Sequence, residues 1–184
     1  MGDTIGFLEI NSIARGMACT DALLKAAEVE LVFARPGCPG KYYILFTGEV
    51  AAVEAALCAG EKEGDGTVCG RCIIPRLHPQ VTASLAGRNV PEEYGALGVM
   101  EFRNVTAAVY ASDAAVKAAE VWITELRLDH GIAGKSFVTV TGAVAAVRAA
   151  LEAGLNTPSG REFVCGQALI PNPRSELWGK KTGG

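Results

Sequence analysis

The sequence predicts an α+β protein, an α/β sandwich built from one β-α-β-β-α-β domain used twice in tandem. An internal repeat carries the first half of that reading. Ile5-Gly6-Phe7-Leu8-Glu9 returns as Leu97-Gly98-Val99-Met100-Glu101, and Asp21-Ala22-Leu23-Leu24-Lys25-Ala26-Ala27-Glu28-Val29 as Asp113-Ala114-Ala115-Val116-Lys117-Ala118-Ala119-Glu120-Val121, both 92 residues later. Gly40-Lys41 matches Gly134-Lys135, and Thr47–Val53 matches Thr141–Val147, 94 residues on. Val68-Cys69-Gly70 and Ile74-Pro75 meet Val164-Cys165-Gly166 and Ile170-Pro171 at 96, so the second copy holds two small insertions. Solenoid units run to about 20–50 residues, whereas this period is the size of a small domain. Each copy alone is near the low end for a self-sufficient core. Pairing with the other copy, or with further subunits, stabilises both.

The order of elements carries the second half. Residues 5–12 are apolar-rich and read as a strand. Thr20-Asp21 offers a cap to a short helix over 22–27. Residues 29–35 read as a second strand, stopped by the stiff loop Pro36-Gly37-Cys38-Pro39-Gly40. A third strand spans 41–47, and Gly48 leads into an Ala-rich helix at 49–59, whose Val50, Val53, Ala56 and Leu57 recur at helical spacing before Gly60 ends it. After a polar turn at 61–66, residues 67–75 form a fourth strand. The second copy repeats the series: strand 97–104, helix 112–120, strand 121–128, loop 129–134, strand 135–141, helix 143–153 and strand 162–171. This is the ferredoxin-like pattern, unpermuted. It divides the chain into a first domain at 1–90, a linker at 91–96 and a second domain at 97–184, and the stretch 80–95 has room for a short helix.

Composition narrows the function. Hydrophobic residues make up 49% and charged residues 20%, which excludes disorder. A net charge of −3 gives no electrostatic case for nucleic acid. The apolar runs fall short of the roughly 18 residues of a membrane span, and the N-terminus lacks the features of a secretory signal. Gly6 occupies the place where N-myristoylation at Gly2 wants Ser or Thr. The six cysteines are therefore expected in a reducing cytoplasm, as thiols or ligands.

Cys38 stands out, because the matching position of copy two is Ile132 and a Gly/Pro loop does not bury a thiol in a core. Cys69-Gly70-Arg71-Cys72 has C-x-x-C spacing, the mark of a redox pair or half a zinc site. It lies in a strand, where residues three apart face opposite ways, and copy two keeps Cys165 but has Ala168. Cys19, Cys58 and Cys165 read as small apolar fillers. His78 reads as an interface residue and His130 as a solvated loop position. No catalytic triad, paired carboxylates or phosphate loop is present, and the chain is not read as an enzyme.

Taken in order, four motifs, all present in copy one and most in copy two, resemble the bacterial microcompartment shell domain. They are Gly-x-x-Glu in the opening strand, Asp-Ala-x-x-Lys-x-Ala in the first helix, Thr-Gly-x-Val-x-x-Val entering the second helix, and Ile-Pro-Arg closing the last strand. The unpermuted order resembles the tandem group of propanediol-utilisation T type, which also carries Cys-Pro-Gly-Lys in its first copy, as Cys38–Lys41 do here. The resemblance implies a homotrimer of pseudo-hexagonal outline, tiling edge to edge with other microcompartment shell proteins. It implies that Gly37, Cys38, Pro39, Gly40 and Lys41 alternate around a central pore with Gly131, Ile132, Ala133, Gly134 and Lys135. It assigns Lys25 and Lys117 to the tile edge, joined by Arg76 with His78 beside it; copy two carries Asn172-Pro173-Arg174 there, so no edge arginine is assigned to it. Three Cys38 thiols at one axis repel as thiolates, and a disulfide joins only two of them. A cubane has a three-fold axis, and the resemblance implies one [4Fe–4S] cluster per trimer, held by Cys38 of each subunit for electron transfer or cluster delivery to an encapsulated or cytosolic redox enzyme. Two other readings stay open. One is a tile whose open pore admits a small polar metabolite, with Lys41 and Lys135 biasing it toward anions; the other is a thiol redox protein using Cys69 and Cys72.

Overall fold

Phe7 and Leu8, neighbours in the opening strand, are both fully buried on opposite faces of one sheet, and this double burial organises the molecule. The computed structural model describes residues 4–85, 91, 93–128 and 134–178. In the first copy β1 (Thr4–Ile10), α1 (Ile13–Ala26), β2 (Glu30–Gly37), β3 (Lys41–Gly48), α2 (Val50–Gly64) and β4 (Val68–Ile74) form an antiparallel sheet of order β2-β3-β1-β4 with two helices. A short helix, α3 (Pro79–Leu85), follows. The second copy has β5 (Ala96–Phe102), α4 (Val105–Ala118), β6 (Trp122–Leu128), β7 (Ser136–Gly142), α5 (Val144–Leu155), α6 (Pro158–Phe163) and β8 (Val164–Ile170), with sheet order β6-β7-β5-β8. A single 3-10 turn, Ser175–Trp178, comes last. Both sheets have the ferredoxin-like order. They share even their irregularities, with register shifts after Glu9 and after Glu101.

Alternation along β1 sends Leu8 and Ile10 to the helix side, where they meet Leu23 of α1 and Val53 and Leu57 of α2. Ile5 and Phe7 point the other way, joining Tyr43, Leu45, Cys72 and Ile74 in one cluster with Val105, Val109 and Val116 of α4. The open face of the first sheet is thus covered by the first helix of the second copy. No helix among the described residues is long and apolar enough to cross a membrane.

Several local expectations are corrected. Both first helices start earlier than Thr20-Asp21 and residue 112 suggest. Ser12 caps α1 by accepting from Arg15 N, and Asn104 caps α4 by accepting from Ala107 N. Helix α2 continues past Gly60 to Gly64, because Gly60 serves as the seat of Leu8, whose Cδ1 would lie 2.6 Å from an added methyl. Strand β2 runs through Pro36 to Gly37; as an edge strand it tolerates proline. Helix α6 was not anticipated, and α3 falls in the stretch where a short helix was.

Candidate functional site

The loop around Cys38 is the tight end of a hairpin. Gly37 pairs with Lys41 across β2 and β3, and Gly40 N donates to Gly37 O at 2.9 Å. Gly40 takes φ +84°, a conformation glycine adopts without penalty. Cys38 is left exposed at the apex.

Two contacts brace that apex from behind. Tyr43, anchored in the core by stacking on Phe7 at 6.1 Å between centroids, donates its hydroxyl to Cys38 O at 3.2 Å. Gly134, at φ +81°, closes in from the second copy: a methyl group there would lie 2.7 Å from Pro39 Cδ and 3.1 Å from Cys38 O. Gly134, the counterpart of Gly40 94 positions on, therefore meets the first copy's loop within one chain. Gly131, Ile132, Ala133 and His130 lie outside the described residues.

Both lysines that follow the loops are tied to carboxylates. Lys41 Nζ donates to Glu9 Oε1, and Thr106 in the first turn of α4 donates its hydroxyl to Glu9 Oε2 at 3.5 Å. Glu9 is fully buried. Burial opposes the Lys41 charge, but the Glu9 carboxylate more than offsets it and the lysine pKa is raised. Lys135 Nζ donates to Glu101 Oε1 at 2.7 Å in the more open equivalent site, and that bond raises its pKa too. Neither lysine is simply solvated. Sequence reasoning missed Glu9, Tyr43 and Thr106; the repeated Glu9/Glu101 and Lys41/Lys135 pairs were the available signal.

Cys69 and Cys72 do not converge. Cys69 is exposed and donates to Glu9 O at 3.3 Å, whereas Cys72 is buried under α4. Three residues of strand separate their Cα atoms by about 10 Å, beyond the roughly 7 Å a disulfide bridges. Burial raises both thiol pKa values, strongly for Cys72, so neither is an activated thiolate. All six cysteines are free thiols. Cys19 is the buried filler expected, but Cys58 and Cys165 are exposed, on the outer side of α2 and on β8.

At the opposite end of the first helices, Lys25 pairs with Asp21 at 2.6 Å and Lys117 with Asp113 at 2.5 Å. Asp113 also accepts from His78 N at 2.9 Å, and His78 Nδ1 accepts from Gln80 N at 3.3 Å. Arg76 is exposed, at φ +51°. Asp113 thus joins two of the expected edge residues.

Comparison with known proteins accords with the repeated fold. The BMC domain family matches twice, at residues 4–77 and 96–173. A bacterial microcompartment shell protein of Citrobacter freundii, PduT, is 32% identical over 178 residues, covering 97% of each chain. The carboxysome shell protein CsoS1C of Halothiobacillus neapolitanus is 38% identical over 84 residues, 44% of this chain and 85% of that one. Among solved structures, a microcompartments protein from Desulfitobacterium hafniense DCB superposes with a TM-score of 0.86 at 40% identity, covering 96% of this chain and 98% of that one. The fused permuted hexameric shell protein MSM0275 from the RMM microcompartment gives 0.60 at 26% identity, covering 82% and 78%.

Proposed function

This chain belongs to the bacterial microcompartment shell-domain family as a structural shell protein, and we propose that three copies close into a tile whose axis holds an iron–sulfur cluster on Cys38. Its place is the microcompartment shell, among other shell proteins.

Closure is supported by an interface of which each chain uses one copy and leaves one unused. Val105, Val109 and Val116 of α4 are buried across β1 and β4. Their counterparts 92 residues earlier are Ile13, Met17 and Leu24 of α1, exposed at 40%, 56% and 40%. On the receiving side, Cys72 and Ile74 are buried, while their counterparts on β8 are less so, Ala168 being exposed and Ile170 only partly buried. Such a head-to-tail contact gives a ring where its rotation closes. With two similar domains per chain, three chains give six domains around an axis.

The observation that carries the axial site is the braced, exposed apex at Cys38 beside the second copy's loop. One thiolate per chain suits a [4Fe–4S] cluster only when three chains share it. Among the described residues no group of three His, Cys, Asp or Glu gathers within one chain. The donor fits: a soft sulfur ligand on a loop whose carbonyl is held by Tyr43 and whose proline is backed by Gly134. A bound cluster would supply one-electron transfer through the tile, toward a redox enzyme on either side. Cys38 of each chain would hold such a cluster, while Lys41 is engaged by Glu9.

Absorption and reduced-state EPR of anaerobically purified, iron-reconstituted protein test this, with Cys38→Ser alongside. A brown trimer that becomes colourless in the variant at unchanged size is expected. A colourless trimer would instead leave the axis to an open metabolite pore, and colour that survives the substitution would point to a cysteine other than Cys38.

A further inference from the structure

We propose that the 3-10 turn Ser175–Trp178 straps across the outer edge of β2 in the neighbouring subunit, as α3 straps across β6 within the chain. The proposal rests on the trimeric reading above and adds to it a contact by which one subunit completes the sheet edge of the next.

The template is on view inside one chain. After β4 the backbone enters α3, which lies along β6. Gln80 uses both ends of its amide there: Nε2 donates to Val121 O and Oε1 accepts from Ile123 N, each at 3.0 Å. A glutamine so placed behaves as a short piece of extra strand. Val81, next to it, is 0% exposed, and so is Ile123.

The same two halves recur, and among the described residues they do not meet each other within the chain. The turn begins at Ser175, which corresponds to Pro79, the first residue of α3, at the offset of 96 that relates β8 to β4. Glu176 then stands for Gln80 and Leu177 for Val81, yet Leu177 is 58% exposed. On the receiving side, Val29 and Leu31 correspond to Val121 and Ile123. The edge is presented alike in both copies, with Val29 N bonded to Ala27 O and Val121 N to Ala119 O, both at 3.0 Å, and a register shift just beyond Leu31 as beyond Ile123. Leu31 and Val32 are nonetheless exposed at 37% and 46%. An apolar residue on the turn and an apolar strand edge are thus both uncovered, and a second copy of the chain brings them together.

The turn is prepared for this. Trp178 packs on Tyr94 at 4.7 Å between centroids, and Leu177 N donates to Arg174 O at 3.0 Å, so little ordering remains to be done on docking. One substitution weakens the strap relative to its template. A carboxylate at 176 accepts from Leu31 N but cannot donate to Val29 O, where Gln80 does both.

Dissociation of the full-length trimer, followed by sedimentation and native mass spectrometry against concentration, tests the strap with two variants. Leu177→Asp is expected to raise the dissociation concentration at least about tenfold, and its exposure means the chain itself folds unchanged. Glu176→Gln is expected to lower it severalfold by restoring the second bond. If the trimer forms but both variants dissociate at the wild-type concentration, the strap is wrong and the trimer stands. The strap is equally wrong if Leu177→Asp leaves the trimer intact and abolishes only association between tiles. A wild-type chain that stays at 19.1 kDa at every concentration would instead remove the trimeric reading itself.

Discussion

Gly134 stands directly against Pro39, so the residue that closes the second copy's loop backs the loop of the first. Added side-chain bulk at 134 meets the proline ring and the Cys38 carbonyl, and the left-handed backbone disfavours any other residue besides. Gly40 has the same backbone constraint with open space around it. Gly40→Ala should therefore cost about 1 kcal/mol from strain alone. Gly134→Ala should cost more and also push the Cys38 apex aside. Thermal denaturation of both variants, with the alkylation rate of Cys38, checks the order; equal effects would mean the two loops do not brace each other.

Glu9 gives a second asymmetry between the copies. Its carboxylate is sealed under α4 with Lys41 as counter-ion, so removing the lysine leaves a buried charge alone. Lys41→Ala should destabilise the chain by about 3 kcal/mol. Lys135→Ala should barely move the melting temperature, because the Glu101 pair is open to solvent in the single chain. Side-by-side denaturant melts distinguish the two, and a loss at Lys135 equal to that at Lys41 would contradict the difference in burial.

Much of this was legible in the sequence, and the reasons for the rest are physical. Repeated motifs fixed the domain count, and the turn residues at 36–40 located the hairpin. The starts of α1 and α4 were missed because Gly16 and the β-branched Val105-Thr106 argue against helix locally. Gly16 is there because Tyr42 packs onto it, with Cβ 2.3 Å from where a methyl would be. Thr157-Pro158, a cap followed by proline at the first helical position, was a readable signal for α6. The burial of Glu9 had no local signal at all, since α4 covers it from the other copy.

Stability should fall in alkali. Burial pushes the Tyr110 phenol up to about 12 and the Cys72 thiol above its ordinary value of 9.0. Both are acids that the folded chain keeps protonated after the unfolded chain has released the proton. The unfolded state then binds fewer protons, so stability declines as pH rises above roughly 9. Lys41 adds in the same direction: its raised pKa stabilises fully below the unfolded lysine value, and that contribution is lost as pH rises through the folded one. Urea melts from pH 8 to 11 should show a flat start and then a decline. Tyr110→Phe should be less stable at pH 8, having lost its hydrogen bonds to Ile73 at 3.2 and 3.3 Å, but should decline less steeply. An unchanged slope would remove Tyr110 from the account.

Lys25 and Lys117 occupy matching ends of α1 and α4, each held by an aspartate one turn earlier. That pairing fixes the direction of two long side chains at the surface and, at the tile edge we propose for them, would lower the entropy lost on meeting a neighbouring tile. For Lys25 the pair contributes little to folding, because exposed i,i+4 pairs are worth only a few tenths of a kcal/mol, whereas Asp113 is buried and Lys117 is its counter-ion. Lys25→Ala combined with Lys117→Ala should therefore leave the trimer intact while weakening growth of two-dimensional sheets, any loss of melting temperature coming from Lys117 and not from Lys25. Electron microscopy of sheets beside sedimentation of the soluble tile separates the two levels. Dissociation of the trimer in the double variant would move these lysines from the tile edge to the contact between subunits.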